Sequence, residues 1–490
     1  RLADECESGS YTAYLKRDAR KKSIGKIYIN IVEDIDFKPD AGTTVYGIVS
    51  SAGVGVENVV VSDGAEVTVT NEKGIYQLKS AKKWGYVFIS VPSGYEVPSV
   101  GVLPQFHRAL KNSADVVERA DFKLEKVDGQ DSYKIFMLGD MHLANRTGDL
   151  GQFAQFTSDL TDYMTRHKGE KMYALTLGDM TWDLYWYSNS YYFPQYLNTI
   201  NSQIKNLQIF HTMGNHDNDF QTRSDYDAAV KYVDQICPTY YSFNIGKVHY
   251  VVMDDIDCSS YDGTESRNYV KSLSAEQLDW LAKDLSHVAK TTPVVVAMHA
   301  QVFYPTTSGF KIDHDQVNTL RLFDILDGYT VRFVTGHTHK LFNVTPDAPI
   351  VDGHNFREYN SGSVCASWWW SGNLTPGIHI GTDGTPGGYG IWDVTGTDFQ
   401  CLYKSTGWPE EYQFRSYDLN NVHFSMADVP LMPSDISASV KNAYMQYVNA
   451  YPQNNDNEVL INIWNWNSDW TLSVVDEKRK TLPYTEVWAY

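Results

Sequence analysis

Read for its hydrophobic and polar positions, the chain changes period twice. Between residues 43 and 125, short alternating runs are punctuated by glycine, as in TTVYGIVSSAGVGVENVVVSDGAEVTVTNEKGIYQL. NEKG makes a tight turn between AEVTVT and IYQL, and YVFISV comes next, so this stretch predicts a small antiparallel β-sandwich of transthyretin or immunoglobulin type. Ahead of it, residues 1–42 form a mixed N-terminal segment in which KIYINIVE predicts a strand. The polar KVDGQDSY (126–133) reads as a linker.

From 131 to 365 the pattern changes. KIFML (134–138), YALTL (173–177), LQIFH (207–211), HYVVMD (249–254), PVVVAM (293–298) and VRFVT (331–335) are continuous apolar runs of strand length. Helical patterns lie between them; in SAEQLDWLAKDLSHVA, Ser274 and Gln277 spell a capping box. Apolar strands alternating with helices predict an α/β domain with a sheet buried on both faces. After 365 the text becomes rich in Gly, Thr and aromatic residues, as in GTDGTPGGYGIWDVTG and EVLINIWNWNSDWTLSVV, and predicts a C-terminal β-rich domain over 366–490. TEVWAY ends the sequence without a polar tail, so this domain is expected to be cut short.

Composition narrows the field. A chain of 490 residues exceeds one core and suggests roughly three domains. The net charge of −19 argues against a protein that grips duplex nucleic acid, which needs surplus Lys and Arg. No apolar run approaches the roughly 18 residues of a transmembrane helix. Cysteines at 6, 237, 258, 365 and 401 are scattered, with neither a disulfide framework nor a CxxC metal knuckle. The start, RLADECESGS, has neither initiator Met nor signal peptide; it reads as processed, and an exported protein is expected. Aromatic residues, at 14%, are assigned mainly to β-domain cores.

The chemistry gathers at strand ends. After KIFML comes GDMH, with Asp140 and His142; after YALTL comes GD, with Asp179; after LQIFHTM comes GNHD, with Asn215, His216 and Asp217. PVVVAM ends at His299, and VRFVT at GHTH, with His337 and His339. The carboxyl end of an open α/β sheet is where such folds place their ligands. Each piece alone is an ordinary turn or core histidine; five in this order point to metal. If GHTH is extended, residues i and i+2 point the same way and both imidazoles face one place. Gly139, Gly178, Gly214 and Gly336 each precede a ligand, where lack of a Cβ permits strained backbone and close approach.

This set, D-x-H, G-D, G-N-H-D, an isolated His and G-H-x-H, resembles the calcineurin-like metallophosphoesterase superfamily over roughly 131–365. With the flanking β regions, it is similar to the three-part bacterial form. The resemblance implies a four-layer α/β/β/α core flanked by the N-terminal sandwich and the C-terminal β-rich domain. It also implies seven ligands: Asp140, His142, Asp179, Asn215, His299, His337 and His339. One catalytic ion takes about three or four protein groups, so seven suit two ions. By resemblance Asp179 bridges; one ion takes Asp140, His142 and His339, the other Asn215, His299 and His337. The donors fit Mn, Fe(II), Zn, Ni or Mg. Trp182 stands where purple acid phosphatases carry an iron-ligating Tyr, so a ferric–tyrosinate centre is not expected.

The expected reaction is hydrolysis of a phosphomonoester or phosphodiester by a metal-activated hydroxide, with His216, by resemblance, acting on the leaving group. Asp183 or Asp217 would hydrogen-bond its imidazole; Asp183 is preferred because in related phosphatases the partner comes shortly after GD. The substrate is expected to be small or surface-displayed: a phosphodiester, a phosphorylated glycan or a lipid. Trp368, Trp369 and Trp370 are placed either at the site mouth or at a domain contact. Arg146 is read as a surface residue before a phosphate contact, and Asp254 and Asp255 as supporting rather than ligating groups. Alternatives are a pyrophosphatase of nucleotide-linked sugars or lipids, a nuclease, and a silent surface protein that binds glycan or protein. The compartment expected is the bacterial periplasm or cell surface.

Overall fold

The computed structural model describes residues 9–15, 25–31, 37–146, 148–365, 380–381, 383–422, 434–442 and 453–487. The N-terminal unit, Arg1–Thr43, contains an antiparallel pair, Gly9–Leu15 and Gly25–Ile31, with Gly9 opposite Ile31. The remainder, from Thr44, forms one compact unit.

Within that unit the first element is the sandwich. One sheet orders His107–Ala109, Tyr86–Ile89, Val60–Ser62 and Val67–Val69; the other is built around Val45–Ser51, which pairs antiparallel with Ile75–Leu78 but parallel with Phe122–Lys126, so the sandwich is mixed and not purely antiparallel as expected. Alternation drives it: Val45 and Val49 face inward while Tyr46 and Ile48 do not. The sandwich is packed directly onto the α/β core. Tyr240 Oη donates to Gly64 O (2.6 Å), Asn244 N donates to Val91 O (2.8 Å), and the Phe106 and Tyr241 rings lie 4.5 Å apart.

Three parallel strands, β1 (Ser132–Leu138), β2 (Lys171–Thr176) and β3 (Gln208–Phe210), begin the catalytic core. The second sheet contains β4 (Tyr241–Ile245), β5 (Val248–Val252), β6 (Val294–Ala297), β7 (Val331–Thr335), β8 (Phe342–Val344) and β9 (Phe356–Asn360), in the order β4-β5-β6-β7-β9-β8. The other edge of β1 is taken by β10 (Gly388–Thr395), and β10 by β11 (Asp398–Ser405), both antiparallel. The two sheets meet through aromatic rings: Phe210 stacks on Phe243 at 3.7 Å, and Tyr359 meets Trp392 at 5.6 Å.

Helices cover the outer faces. On the first sheet, α1 (Asp149–Arg166) lays Tyr163 on Phe136 and Phe156 on Tyr389, with α2 (Phe193–Gln203) and α3 (Asp225–Gln235) beside it. α4 (Ala275–Leu285) and α5 (Gln316–Leu326) flank the second, where Phe323 of α5 meets Phe333 and Phe356. The result is the expected α/β/β/α core with β-rich flanks. At α4, Ser274 Oγ accepts from Gln277 N (3.2 Å), while the Gln277 side chain bonds Asp254 N and O instead of closing the box.

Residue 365 does not mark the end of the core sheet. β10 and β11 lie in the region assigned to a separate C-terminal domain, yet β10 hydrogen-bonds β1 along most of its length and β11 extends the same sheet beyond it. A central strand as apolar as KIFML needs partners on both edges, and the chain returns to supply the second. Further C-terminal structure includes the pair Phe414–Asp418 and Val459–Ile463.

Candidate metal centre

All seven donors proposed from the sequence converge at one rim of the two sheets. Asp140 and His142 come after β1, Asp179 after β2, and Asn215, His216 and Asp217 form one 3₁₀ turn after β3. His299 comes after β6, and His337 and His339 after β7. Asp140, His142 and His339 make one cluster: His142 Nε2 lies 2.9 Å from His339 Nε2, which is 3.1 Å from Asp140 Oδ1. Asp179, His299 and His337 make the other: His299 Nε2 is 3.2 Å from Asp179 Oδ2 and 3.1 Å from His337 Nδ1. Asn215 Oδ1 joins it, 2.9 Å from His299 Nε2. Asp179 Oδ2 also lies 3.5 Å from His142 Nε2, so this one oxygen faces both clusters. Donor atoms about 3–4 Å apart are the edges of a coordination shell with bonds of about 2.0–2.2 Å, and the residues fit two divalent ions.

Backbone conformation aims these side chains. Asp140, His142, Asp179, His337 and His339 all have φ between 49° and 66°, the left-handed region that non-glycine residues rarely occupy. GHTH is therefore not extended. The two imidazoles reach different clusters because each residue turns the chain, not because they share a strand face. The glycines act mainly by close approach: a Cβ on Gly214 would collide with Asp179 Oδ1 and N, and one on Gly336 would sit 2.5 Å from Asp140 Oδ2.

A second layer fixes the first. His299 Nδ1 donates to Leu177 O (2.7 Å), which leaves Nε2 turned into the cluster. Asp255 accepts from His299 N (3.0 Å), Ala300 N (2.8 Å) and His314 (2.8 Å), so this buried carboxylate holds the His299 loop. Ser363 Oγ donates to Asp140 O, and Asn360 Nδ2 to Gly336 O, both at 2.7 Å.

Charge in the site is anionic. Burial pushes the Asp140 and Asp179 carboxyls up, but the surrounding imidazoles, His339 and His299 foremost, hold both well below the usual range. Burial lowers His142 to about 4 and His337 to about 3, so both rings are neutral at pH 7, as ligands must be. His299 is the exception. Burial opposes its charge, yet Asp179 raises it to about 10, a proton whose place a cation bound at Nε2 would take.

His216 stands beside both clusters, its ring 5.0 Å from that of His142. Its Nδ1 is 2.8 Å from Asp183 Oδ1. The other carboxylate offered by the sequence, Asp217, is used differently: it accepts from Thr181 N (3.0 Å), Gly214 N (3.1 Å) and Thr181 Oγ1 (3.0 Å), tying the second motif loop to the third. Burial raises Asp217 to about 7. Its hydrogen bonds go to these loops, and that is its role. Trp182 walls the site, 5.4 Å from both the His142 and His216 rings. Arg146 is half-buried and stacks on Trp182 at 4.1 Å.

One residue escaped the sequence reading. Arg267 places Nη1 2.8 Å from His216 Nδ1 and 3.2 Å from Asp183 Oδ1. It lies in a loop, TESRNY, with no periodicity and no motif to mark it. Trp368, Trp369 and Trp370 lie outside the described residues.

Comparison with known proteins adds the family. Three family models match in series: N terminal of calcineurin-like phosphoesterase at residues 43–127, calcineurin-like phosphoesterase at 133–341, and C terminal of calcineurin-like phosphoesterase at 358–489. No curated protein matches the chain. Among solved structures, a dimetal phosphatase from Danio rerio is 13% identical, aligned over 56% of this chain and 95% of that one, with a TM-score of 0.40. GAP50, described as the anchor in the inner membrane complex of Plasmodium, is 13% identical over 56% and 85%, with a TM-score of 0.35. A 5'-nucleotidase from Candida albicans is 13% identical over 55% and 50%, with a TM-score of 0.31. With all three matched segments in order and the two Asp/His clusters in place, the chain belongs to the calcineurin-like phosphoesterases, metal-dependent hydrolases, in their three-part form.

Proposed function

We propose that this chain hydrolyses a phosphomonoester or phosphodiester whose organic group is small or displayed on a surface, with His216 serving the leaving oxygen. The observation that carries this reading is the 2.8 Å contact between His216 Nδ1 and Asp183 beside the paired clusters. A carboxylate on Nδ1 orients the ring, which leaves Nε2 to give a proton to an alkoxide. When bound, two divalent ions would acidify a water and neutralise charge on the phosphoryl oxygens. Asp179, Asn215, His299 and His337 on one side and Asp140, His142 and His339 on the other would hold them. Arg267, a permanent cation beside His216, suits a non-bridging phosphoryl oxygen. Trp182 supplies an apolar wall for the organic group. The net charge of −19 supports a compact substrate over a long polyanion.

The test is turnover of 4-nitrophenyl phosphate and bis(4-nitrophenyl) phosphate by the purified chain. A chelator should abolish it and Mn should restore it. Protein carrying two metal equivalents yet inert on both esters would overturn the reading.

A further inference from the structure

A second site lies at the far end of β7 from the metal centre. There a cavity of about 430 Å³ opens between the two sheets, beneath the C-terminal segment around residues 465–470. Arg332 is the second residue of β7, three positions, roughly 10 Å along the strand, before its metal-side end at Thr335. In the parallel register Arg332 faces Arg357 of β9, so two guanidinium groups stand side by side. Like charges directly paired across strands are destabilising unless something answers them. One carboxylate does so, Asp469, 2.6 Å from Arg357.

Arg332 makes no direct ion pair among the described residues; Asp469 acts on it only at longer range. Its guanidinium lies over the Phe399 ring at 4.5 Å, and its buried Nε has no acceptor. Trp392, on the opposite wall, likewise buries its indole Nε1 without an acceptor. A buried guanidinium Nε–H and a buried indole N–H each cost free energy while unanswered. Both line a cavity of ligand size.

We propose that this cavity binds a small anion carried on a sugar ring, a sugar acid or a sugar phosphate. Arg332 and Arg357 take the anionic group in charge-assisted hydrogen bonds. Trp470, 43% exposed at the mouth, offers a flat face for the ring, and the amides of Asn467 and Gln400 suit hydroxyl groups. The site is independent of the metals.

Calorimetric titration of the full chain tests this, with glucuronate, galacturonate, glucose 6-phosphate, glucose and inorganic phosphate as probes. At least one sugar anion should bind once per chain, at least tenfold tighter than glucose or inorganic phosphate, and equally to Asp179→Asn, whose metal bridge is lost. The uronates against the sugar phosphate separate carboxylate from phosphate recognition. Arg332→Gln should weaken binding at least tenfold and leave turnover of 4-nitrophenyl esters unchanged. Trp470→Ala, at an exposed position, should weaken binding severalfold and decides the matter should Arg332→Gln fail to fold. The proposal falls if no sugar anion binds, if inorganic phosphate binds as tightly, or if folded Arg332→Gln or Trp470→Ala binds like wild type.

Discussion

Asp183 Oδ1 and His216 Nδ1 lie 2.8 Å apart, joining the loop after β2 to the turn after β3. Asp183 is fully buried, so its charge has few partners besides this imidazole and Arg267. The carboxylate fixes the His216 ring where a leaving group arrives. His216→Ala should retain both metals and lose about 10²–10⁴-fold in kcat on alkyl phosphate esters. Loss on 4-nitrophenyl esters, which need little protonation, should be far smaller. Asp183→Asn should show the same order at reduced size. Equal loss on both ester classes would remove His216 from the proton-donor role.

Arg267 is expected to act on the phosphoryl group and not on the proton. A charge-assisted hydrogen bond of about 1.5–3 kcal/mol corresponds to about 10–100-fold, so Arg267→Ala should lower kcat/KM by that factor. The loss should be similar for good and poor leaving groups, which distinguishes it from His216→Ala. Steady-state kinetics across a leaving-group series reads both.

Asp255 touches no donor atom of the metal site, yet its three hydrogen bonds hold the loop on which His299 stands. Asp255→Asn replaces one accepting oxygen with an NH₂ group. Metal affinity should fall about 10–100-fold with the fold intact. Competition with a chromogenic chelator measures it, and circular dichroism checks the fold.

Gly214→Ala should be more damaging than its size suggests. The added Cβ would meet the Asp179 carboxylate and amide, so either the bridge or the third motif loop must move. Bound metal should drop below two per chain, read by elemental analysis, while secondary structure persists.

Away from the site, the half-buried His107 and the buried His211 set an acid limit on stability. Burial holds His107 at about 4 and His211 at about 3, against 6.5 for an imidazole in the unfolded chain. Between pH 6.5 and about 4 the unfolded chain therefore binds more protons, and stability falls as pH falls. Each histidine contributes up to about 1.4 kcal/mol per pH unit. Denaturant midpoints measured from pH 7.5 to 5 should show this slope. His107→Gln should remove one histidine's share of that slope.

The residues of both clusters were legible because they come within a few positions of apolar strand ends, and a strand's carboxyl end needs no tertiary knowledge to locate. The sandwich was legible from its turns. GHTH misled: side-chain alternation assumes extended backbone, and His337 and His339 adopt positive φ under constraints from Asp140 and Gly336 that no local pattern carries. Arg267 stayed hidden because a loop that closes over a site has no period. The region of β10 and β11 read as β-rich, but which sheet they join depends on an edge about 250 residues earlier.

That last pairing bears on how such chains are cut and recombined. A protein severed after residue 365 would expose the backbone groups of KIFML, the strand that delivers Asp140 and His142, as a sticky border inviting intermolecular pairing. The hydrolase is thus not an independent bead between two ornaments. Any exchange of the C-terminal piece between relatives has to carry the 388–405 hairpin with it or leave it behind whole.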